Sequence, residues 1–250
     1  MSAEKERIAK YLARAGVASR RAVEAMIAEG RIVLNGQKLE TPATLVDGSE
    51  DIRVDGKPVQ VKDKTRLFLF HKPAGLVTSH KDEKDRETVF DYLKSHYPDL
   101  PRLISVGRLD LTTEGLLLLT NDGALSRYME LPQTGWTRSY RVRVFGLWND
   151  KKAARLQKGM QVDGVRYAPI KATFERQTGD NIWLNVSLQE GKNREIRKVM
   201  DHLGLKVNRL IRTAFGPFQL GGLSEGAVEE IPSKQLKEQL GAKTCAALGL

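Results

Sequence analysis

Residues 106–123, Val-Gly-Arg-Leu-Asp-Leu-Thr-Thr-Glu-Gly-Leu-Leu-Leu-Leu-Thr-Asn-Asp-Gly, place one acid where it can be held rigidly. Asp110 follows a Gly107-Arg108 pair, and Thr112 and Thr113 are placed to cap whatever comes next. Gly115 opens an apolar run of four leucines, which Asn121-Asp-Gly closes with a turn. Cations nearby favour the charged form of a carboxylate. An acid set between arginines and a core element therefore suits nucleophilic work rather than proton donation. On residue types alone, a carboxylate that only caps or salt-bridges its own loop is the favoured reading. A second constellation runs from Glu190 to Met200, Glu-Gly-Lys-Asn-Arg-Glu-Ile-Arg-Lys-Val-Met. Lys192, Arg194, Arg197 and Lys198, with Lys206, Arg209 and Arg212 beyond, are opposed only by Glu195 and Asp201. The spacing of Arg194, Arg197 and Lys198 predicts a shared helix face, a layout that contacts phosphates. The third candidate is Tyr140, which heads an alternating segment with Arg141 and Arg143. A tyrosine at a strand start can stack on a nucleobase.

Other chemistries lack residues. The chain has no phosphate-binding glycine loop of the nucleotide-hydrolase or dinucleotide type, no paired-histidine zinc helix and no serine elbow. His71, His80, His96 and His202 are scattered, so no metal site is expected. Cys245 is the single cysteine, which excludes a disulfide framework. No apolar run approaches the roughly 20 residues of a membrane span. No secretory signal is read in MSAEKERIAKYLARAG, so a cytoplasmic location without membrane contact is expected.

Charge then points to a partner. The net charge is +10. Residues 136–215 hold seventeen basic against seven acidic residues, a surplus equal to that of the whole chain. An excess concentrated in one stretch favours a polyanion track over scattered solvated faces.

The elements that must position these residues form two groups. Residues 4–15 read as a helix stopped at Gly16. Ser19 is an N-cap for a second helix, Arg20–Glu29, with Val23, Met26 and Ile27 inward. Asn35-Gly36 is a strong hairpin signal, and residues 52–59 read as another strand and turn. Residues 61–65, VKDKT, read as a linker. From Arg66 short strands and helices mix without strict alternation, which predicts an α+β domain. Residues 233–250 read as a short helix and an Ala/Leu/Gly-rich end that frays.

Residues 8–21, Ile-Ala-Lys-Tyr-Leu-Ala-Arg-Ala-Gly-Val-Ala-Ser-Arg-Arg, and 27–36, Ile-Ala-Glu-Gly-Arg-Ile-Val-Leu-Asn-Gly, resemble the alpha-L RNA-binding domain. A helix start flanked by Arg14, Arg20 and Arg21 suits phosphate contact. Five further segments follow in order: His71-Lys-Pro-Ala-Gly, the Gly107-Arg-Leu-Asp motif with its extension, Ser139-Tyr-Arg-Val, Gly191-Lys-Asn-Arg-Glu-Ile-Arg and Leu210-Ile-Arg-Thr-Ala-Phe-Gly. Together, over residues 5–230, they resemble the pseudouridine synthases of the RsuA and RluB type, which modify ribosomal RNA.

The resemblance implies roles. Asp110 would be the nucleophile, Tyr140 the platform under the target uracil and Arg197 the basic partner of the aspartate. Arg108 would enter the RNA helix vacated by the flipped base, and Leu210 or Ile211 would form the apolar pocket wall. Lys192, Arg194, Lys198 and Arg212 would contact RNA, as would Arg14, Arg20 and Arg21. The implied fold is a helix–helix–hairpin RNA-binding domain over residues 1–60 and a mixed, largely antiparallel catalytic sheet over residues 66–235, with residues 236–250 as a tail. No cofactor is implied, because the reaction detaches uracil, rotates it and rejoins it through C5 without redox change. The partner would be ribosomal RNA, with a lean toward the large subunit, or an assembling ribosomal particle. The enzyme is expected to be a monomer. The alternatives are an RNA-docking assembly factor that has lost activity and an unrelated hydrolase with an aspartate nucleophile.

Overall fold

The structure is a computed structural model that describes residues 5–59 and 64–250. It divides into two compact units, with the first ending at Thr65 and the second running from Arg66 to Gly249 apart from residues 121–123. Most of the expected linker, residues 61–63, lies outside the described residues.

The first unit follows its local signals. Ser19 Oγ accepts from the Ala22 amide at 3.1 Å and caps the helix Arg20–Ala28. Val23, Met26 and Ile27 pack with Ile8 and Leu12 in a small core. Asn35 and Gly36 both take positive φ, 49° and 81°, as a tight hairpin with matching twist requires. The strands Gln37–Lys38, Ile32–Leu34, Ile52–Val54 and Lys57–Pro58 form one antiparallel sheet in that order. One expectation is corrected. The first helix spans Ile8–Arg14 rather than residues 4–15. Glu6 and Arg7 are instead extended and pair with Leu45–Val46. The Ile8 amide donates to the Thr44 carbonyl at 2.9 Å, which ties the chain to that strand before the helix starts.

The second unit is built on a nine-stranded sheet, whose main path runs Lys171–Thr178, Asn181–Leu188, Arg138–Phe145, Lys206–Phe215, Glu114–Thr120, Leu67–Lys72, Val228–Ile231. All neighbours along it are antiparallel except one. Lys206–Phe215 meets Glu114–Thr120 in parallel, over the pairs Ile211 to Glu114 and Arg212 to Gly115. That short joint connects two half-sheets with separate cores. One core gathers Val142, Leu184 and Leu210 against the helix Glu195–His202. The other gathers Phe68, Phe70, Leu117 and Leu119 against the helix Val89–His96. The four-leucine run is central strand, buried along its whole length. Thr112 and Thr113 therefore precede a strand and cap no helix.

The expected tail is also corrected. Residue 236 falls inside the helix Ser233–Leu240, and a further helix, Ala242–Leu248, follows. Leu236, Leu240 and Cys245 are buried, so apolar spacing continues the fold where small residues suggested fraying.

Candidate active site

The joint between the half-sheets requires a glycine. Gly115 has φ +100°, and a Cβ placed there would lie 2.2 Å from the Arg212 carbonyl oxygen. Its absence lets the two strands touch and brings the Asp110 loop against the strand that carries Arg212.

The loop itself is fixed carbonyl by carbonyl. Leu109 O accepts from Thr78 Oγ1 at 2.8 Å, Asp110 O from the Thr113 amide at 3.0 Å and Leu111 O from the Gly75 amide at 2.8 Å. Thr112 O accepts from Arg197 Nη2 at 3.1 Å and Thr113 O from Lys72 Nζ at 3.0 Å. Every carbonyl from 109 to 113 is thus occupied, which leaves the Asp110 side chain on an immobilised turn.

A cavity of about 420 Å³ opens beside it, lined by Asp110, Arg108, Tyr140, Leu210, Arg194 and Arg212 among others. Tyr140 arrives on the Arg138–Phe145 strand, in register with Arg212 on one side and Val186 on the other. The two chemical candidates therefore come from different half-sheets and meet at one concavity. Leu188, Ile196 and Phe215 supply further apolar wall.

The cations are arranged differently from the expectation. Arg194 is not on the helix face. It takes a left-handed conformation, φ 53° and ψ 31°, at the N-cap, and the helix begins at Glu195. That turn sends its guanidinium to Asp110, Nη1 to Oδ2 at 3.7 Å. Arg197, the expected partner, lies half-buried behind the loop. Its nitrogens bond Thr112 O and, at 3.4 Å, Val207 O, and the Asp110 charge acts on it at longer range. Burial, and then the neighbouring Arg194, push the Arg197 pKa down, against the pull of Asp110. Lys198 is on the same helix but does not line the cavity.

Two further expectations are corrected. Arg212 is not an exposed phosphate contact, because it is 3% exposed and its Nε donates to Leu116 O at 2.7 Å. Strand alternation explains this, since residue 212 shares a face with Leu210 and the core. The same alternation turns Ile211 away, so Leu210 alone of that pair lines the cavity. Arg209 is likewise engaged, in a two-point pair with Glu114 at 2.7–3.1 Å. Arg108, Lys192 and Arg194 are exposed at the cavity, Lys192 while paired with Glu190 at 2.6 Å and donating to Arg166 O at 2.9 Å. Of the first-unit arginines, Arg20 and Arg21 are exposed on the first helical turn, whereas Arg14 bonds Glu6 at 3.1 Å.

The reading of residue types missed Lys72 and Arg138. Lys72 is fully buried, and its ammonium bonds only carbonyls, Pro73 O and Thr113 O. Burial pushes its pKa down to about 8, opposed by Asp110 and Glu114. The apolar strand Leu67–Lys72 was the available signal, because a lysine ending such a strand must find partners inside. Arg138 also lines the cavity, donating to Trp136 O and Gln189 O and lying 4.7 Å from the centre of the Phe215 ring.

Comparison with known proteins gives the family. The family model described as RNA pseudouridylate synthase matches residues 66–202, and the S4 domain matches residues 6–52. A Rickettsia felis protein named an uncharacterized RNA pseudouridine synthase is 44% identical over 233 residues, covering 93% of this chain and 100% of that one. The ribosomal large subunit pseudouridine synthase B of Haemophilus influenzae is 41% identical over 240 residues, 92% of this chain and 65% of that protein. A crystal structure of a pseudouridylate synthase superposes with a TM-score of 0.64 at 25% identity, covering 94% of this chain and 99% of that one.

Proposed function

The chain belongs to the RNA pseudouridylate synthase family, with an S4 domain ahead of the synthase domain, and from that premise we propose that it converts one uridine of large-subunit ribosomal RNA to pseudouridine. The large-subunit assignment is supported by the relatives so named in Haemophilus influenzae, Pasteurella multocida and Yersinia pestis, at 38–41% identity. The observation that carries the mechanism is the convergence of Asp110 and Tyr140 on one cavity from two half-sheets.

The target uridine leaves its stack and enters the cavity, which needs a platform and costs a few kcal/mol, on the order of one unstacking step. Tyr140 is that platform. The Asp110 carboxylate attacks the ribose C1′ as the bond to N1 breaks. Its turn is held by five occupied carbonyls, so little reorganisation accompanies attack. Arg194 and Arg197 place positive charge beside and behind it. Arg108, Lys192 and Arg194 hold the phosphates flanking the flipped nucleotide. The first unit, through Arg20 and Arg21, anchors the same RNA and raises the local concentration of the target. No electron acceptor enters, since the bonds broken and formed are all between base and sugar. The enzyme acts as a monomer in the cytoplasm. The inactive assembly-factor alternative has no feature of the site in its favour, because Asp110, Tyr140 and Arg197 are all present.

The test is pseudouridine mapping of ribosomal RNA from cells lacking the gene, complemented with the wild type or with Asp110→Asn. One large-subunit pseudouridine should vanish and return only with the wild type. An unchanged map would overturn the assignment of substrate.

A further inference from the structure

The wall of the cavity holds a charge that the scheme above does not use. Arg212 borders the cavity at 3% exposure. Its Nε is taken by Leu116 O at 2.7 Å, and its guanidinium lies 5.2 Å from the centre of the Phe215 ring. Its Nη2 is buried and has no hydrogen-bond partner. Among the described residues Arg212 forms no ion pair, and burial pushes its pKa down, opposed by the charge of the neighbouring Tyr140 and by a side-chain hydrogen bond with it, which leaves Nη2 unmet. A buried guanidinium with an unmet donor destabilises a fold unless something else supplies the acceptor.

The position of Arg212 indicates which acceptor. It sits beside Tyr140 in strand register and lines the same cavity. The aspartate has its own cations in Arg194 and Arg197. The exposed Arg108, Lys192 and Arg194 serve phosphates. What remains for a desolvated donor next to the stacking platform is the edge of the ring.

We propose that Arg212 is a catalytic residue that donates a hydrogen bond to a carbonyl oxygen of the target uracil and holds the negative charge the ring acquires on leaving the ribose. This rests on the function proposed above. When C1′–N1 breaks, its electron pair departs with N1, and the ring charge is shared with O2 and O4. C1′ takes an Asp110 oxygen in exchange. After the ring turns, the C5 electron pair displaces that oxygen from C1′. C5 then loses its hydrogen as a proton and N1 gains one, so no net proton is consumed. Arg212 transfers none. It stabilises the one species in the sequence that carries charge on the base, and does so from a buried position, where a donor is worth more than in water.

The experiment uses the full-length protein and a ribosomal RNA fragment containing the uridine found by mapping. That position is made as uridine, 2-thiouridine or 4-thiouridine, sulfur being the weaker acceptor. Single-turnover rates are measured for the wild type, Arg212→Gln and Arg212→Lys, with folding checked by circular dichroism. Arg212→Gln should be slower by about 10²- to 10³-fold with RNA affinity retained. One of the two sulfur substitutions should slow the wild type by about tenfold or more, and the variant by less than about twofold. Which one does so identifies the oxygen. A folded Arg212→Gln within about threefold of the wild-type rate would overturn the proposal. So would a loss confined to RNA affinity, which marks a phosphate contact, or equal sulfur effects in variant and wild type. Should neither variant fold, the wild type decides alone, and indifference to both sulfurs overturns the proposal. A wild type that makes no pseudouridine in any RNA overturns the function, and this role with it. An active wild type beside an undamaged variant overturns this role only.

Discussion

The paired arginines of the first unit and the buried cations around the cavity of the second are held in different ways, although Arg194 and Arg209 there do face carboxylates. In the first unit Arg14 faces Glu6, Arg31 faces Asp55 and Glu29, and Arg53 faces Asp51. Around the cavity of the second, Arg138, Arg197 and Arg212 donate to backbone carbonyls, and Lys72 does the same. A carboxylate partner fixes a cation and cancels its charge. A carbonyl partner fixes it and leaves the charge in place. The first arrangement builds a nearly neutral module with local exposed contacts, and the second builds a positive field around Asp110. The stretch 136–215, which carries a surplus of +10, contains Arg138, Arg197 and Arg212.

The largest effect that sharpens the contrast comes from the one acid inside that field. Asp110→Asn keeps the shape of the side chain and removes its charge. Turnover should fall by about 10⁴-fold or more while RNA affinity stays within about threefold, measured as pseudouridine formed and as binding by filter retention. Retained turnover would break the assignment.

Next come the two glycines. Gly115→Ala would drive a Cβ into the Arg212 carbonyl at 2.2 Å on a backbone with φ +100°. It should cost about 3 kcal/mol or more. Gly36→Ala, at φ +81° with nothing within 4 Å of the new Cβ, should cost only about 1 kcal/mol. Denaturant midpoints compare the two. Equal costs would show that the joint between half-sheets relaxes as easily as an open hairpin.

Carbonyl anchoring is tested at Arg197 and Lys72. Arg197→Ala frees Thr112 O and loosens the Asp110 turn, so turnover should drop by about 10²-fold. Lys72 gives a pH signature. Its folded pKa, about 8, lies below the ordinary 10.5. Between these values the unfolded chain binds the proton and the folded chain does not, so stability should rise with pH across that window. The slope per group is at most about 1.4 kcal/mol per pH unit. Below pH 8 both states are protonated and the contribution is flat. The difference between wild type and Lys72→Met in urea melts from pH 7.5 to 10.5 reads it, and parallel curves would refute a displaced lysine.

What the sequence made legible divides along the same line. Local signals held in the first unit at Ser19, Asn35 and Gly36, which act on neighbouring residues, and failed at Glu6 and Arg7, which pair with a strand distant in sequence. In the second unit the motifs pointed to Asp110 and Tyr140, which line one cavity. Thr113 O, Thr112 O and Leu116 O, which receive Lys72, Arg197 and Arg212, are distant in sequence, and a carbonyl carries no residue identity. Nothing in residue types announces that Thr113 O receives Lys72 or that Leu116 O receives Arg212. The helix-face reading of Arg194 failed for a related reason, because its left-handed cap breaks the period one residue before the helix.

The smallest expected effect separates exposed from cancelled charge within the first unit. Arg20 and Arg21 are exposed on a helical first turn, whereas Arg31 is locked in a two-point pair with Asp55 at 2.7 and 2.8 Å. A cation that neutralises a phosphate releases a counterion and adds about one to the slope of log affinity against log salt. Arg20→Ala and Arg21→Ala should each reduce that slope by up to about one. Arg31→Ala should leave it unchanged, because Asp55 already neutralises the guanidinium. A slope lowered by Arg31→Ala as much as by the other two would mean that RNA displaces Asp55. The ion pairs of the first unit would then be a resting state of its RNA contacts, and the contrast between the two units would hold only before RNA binds.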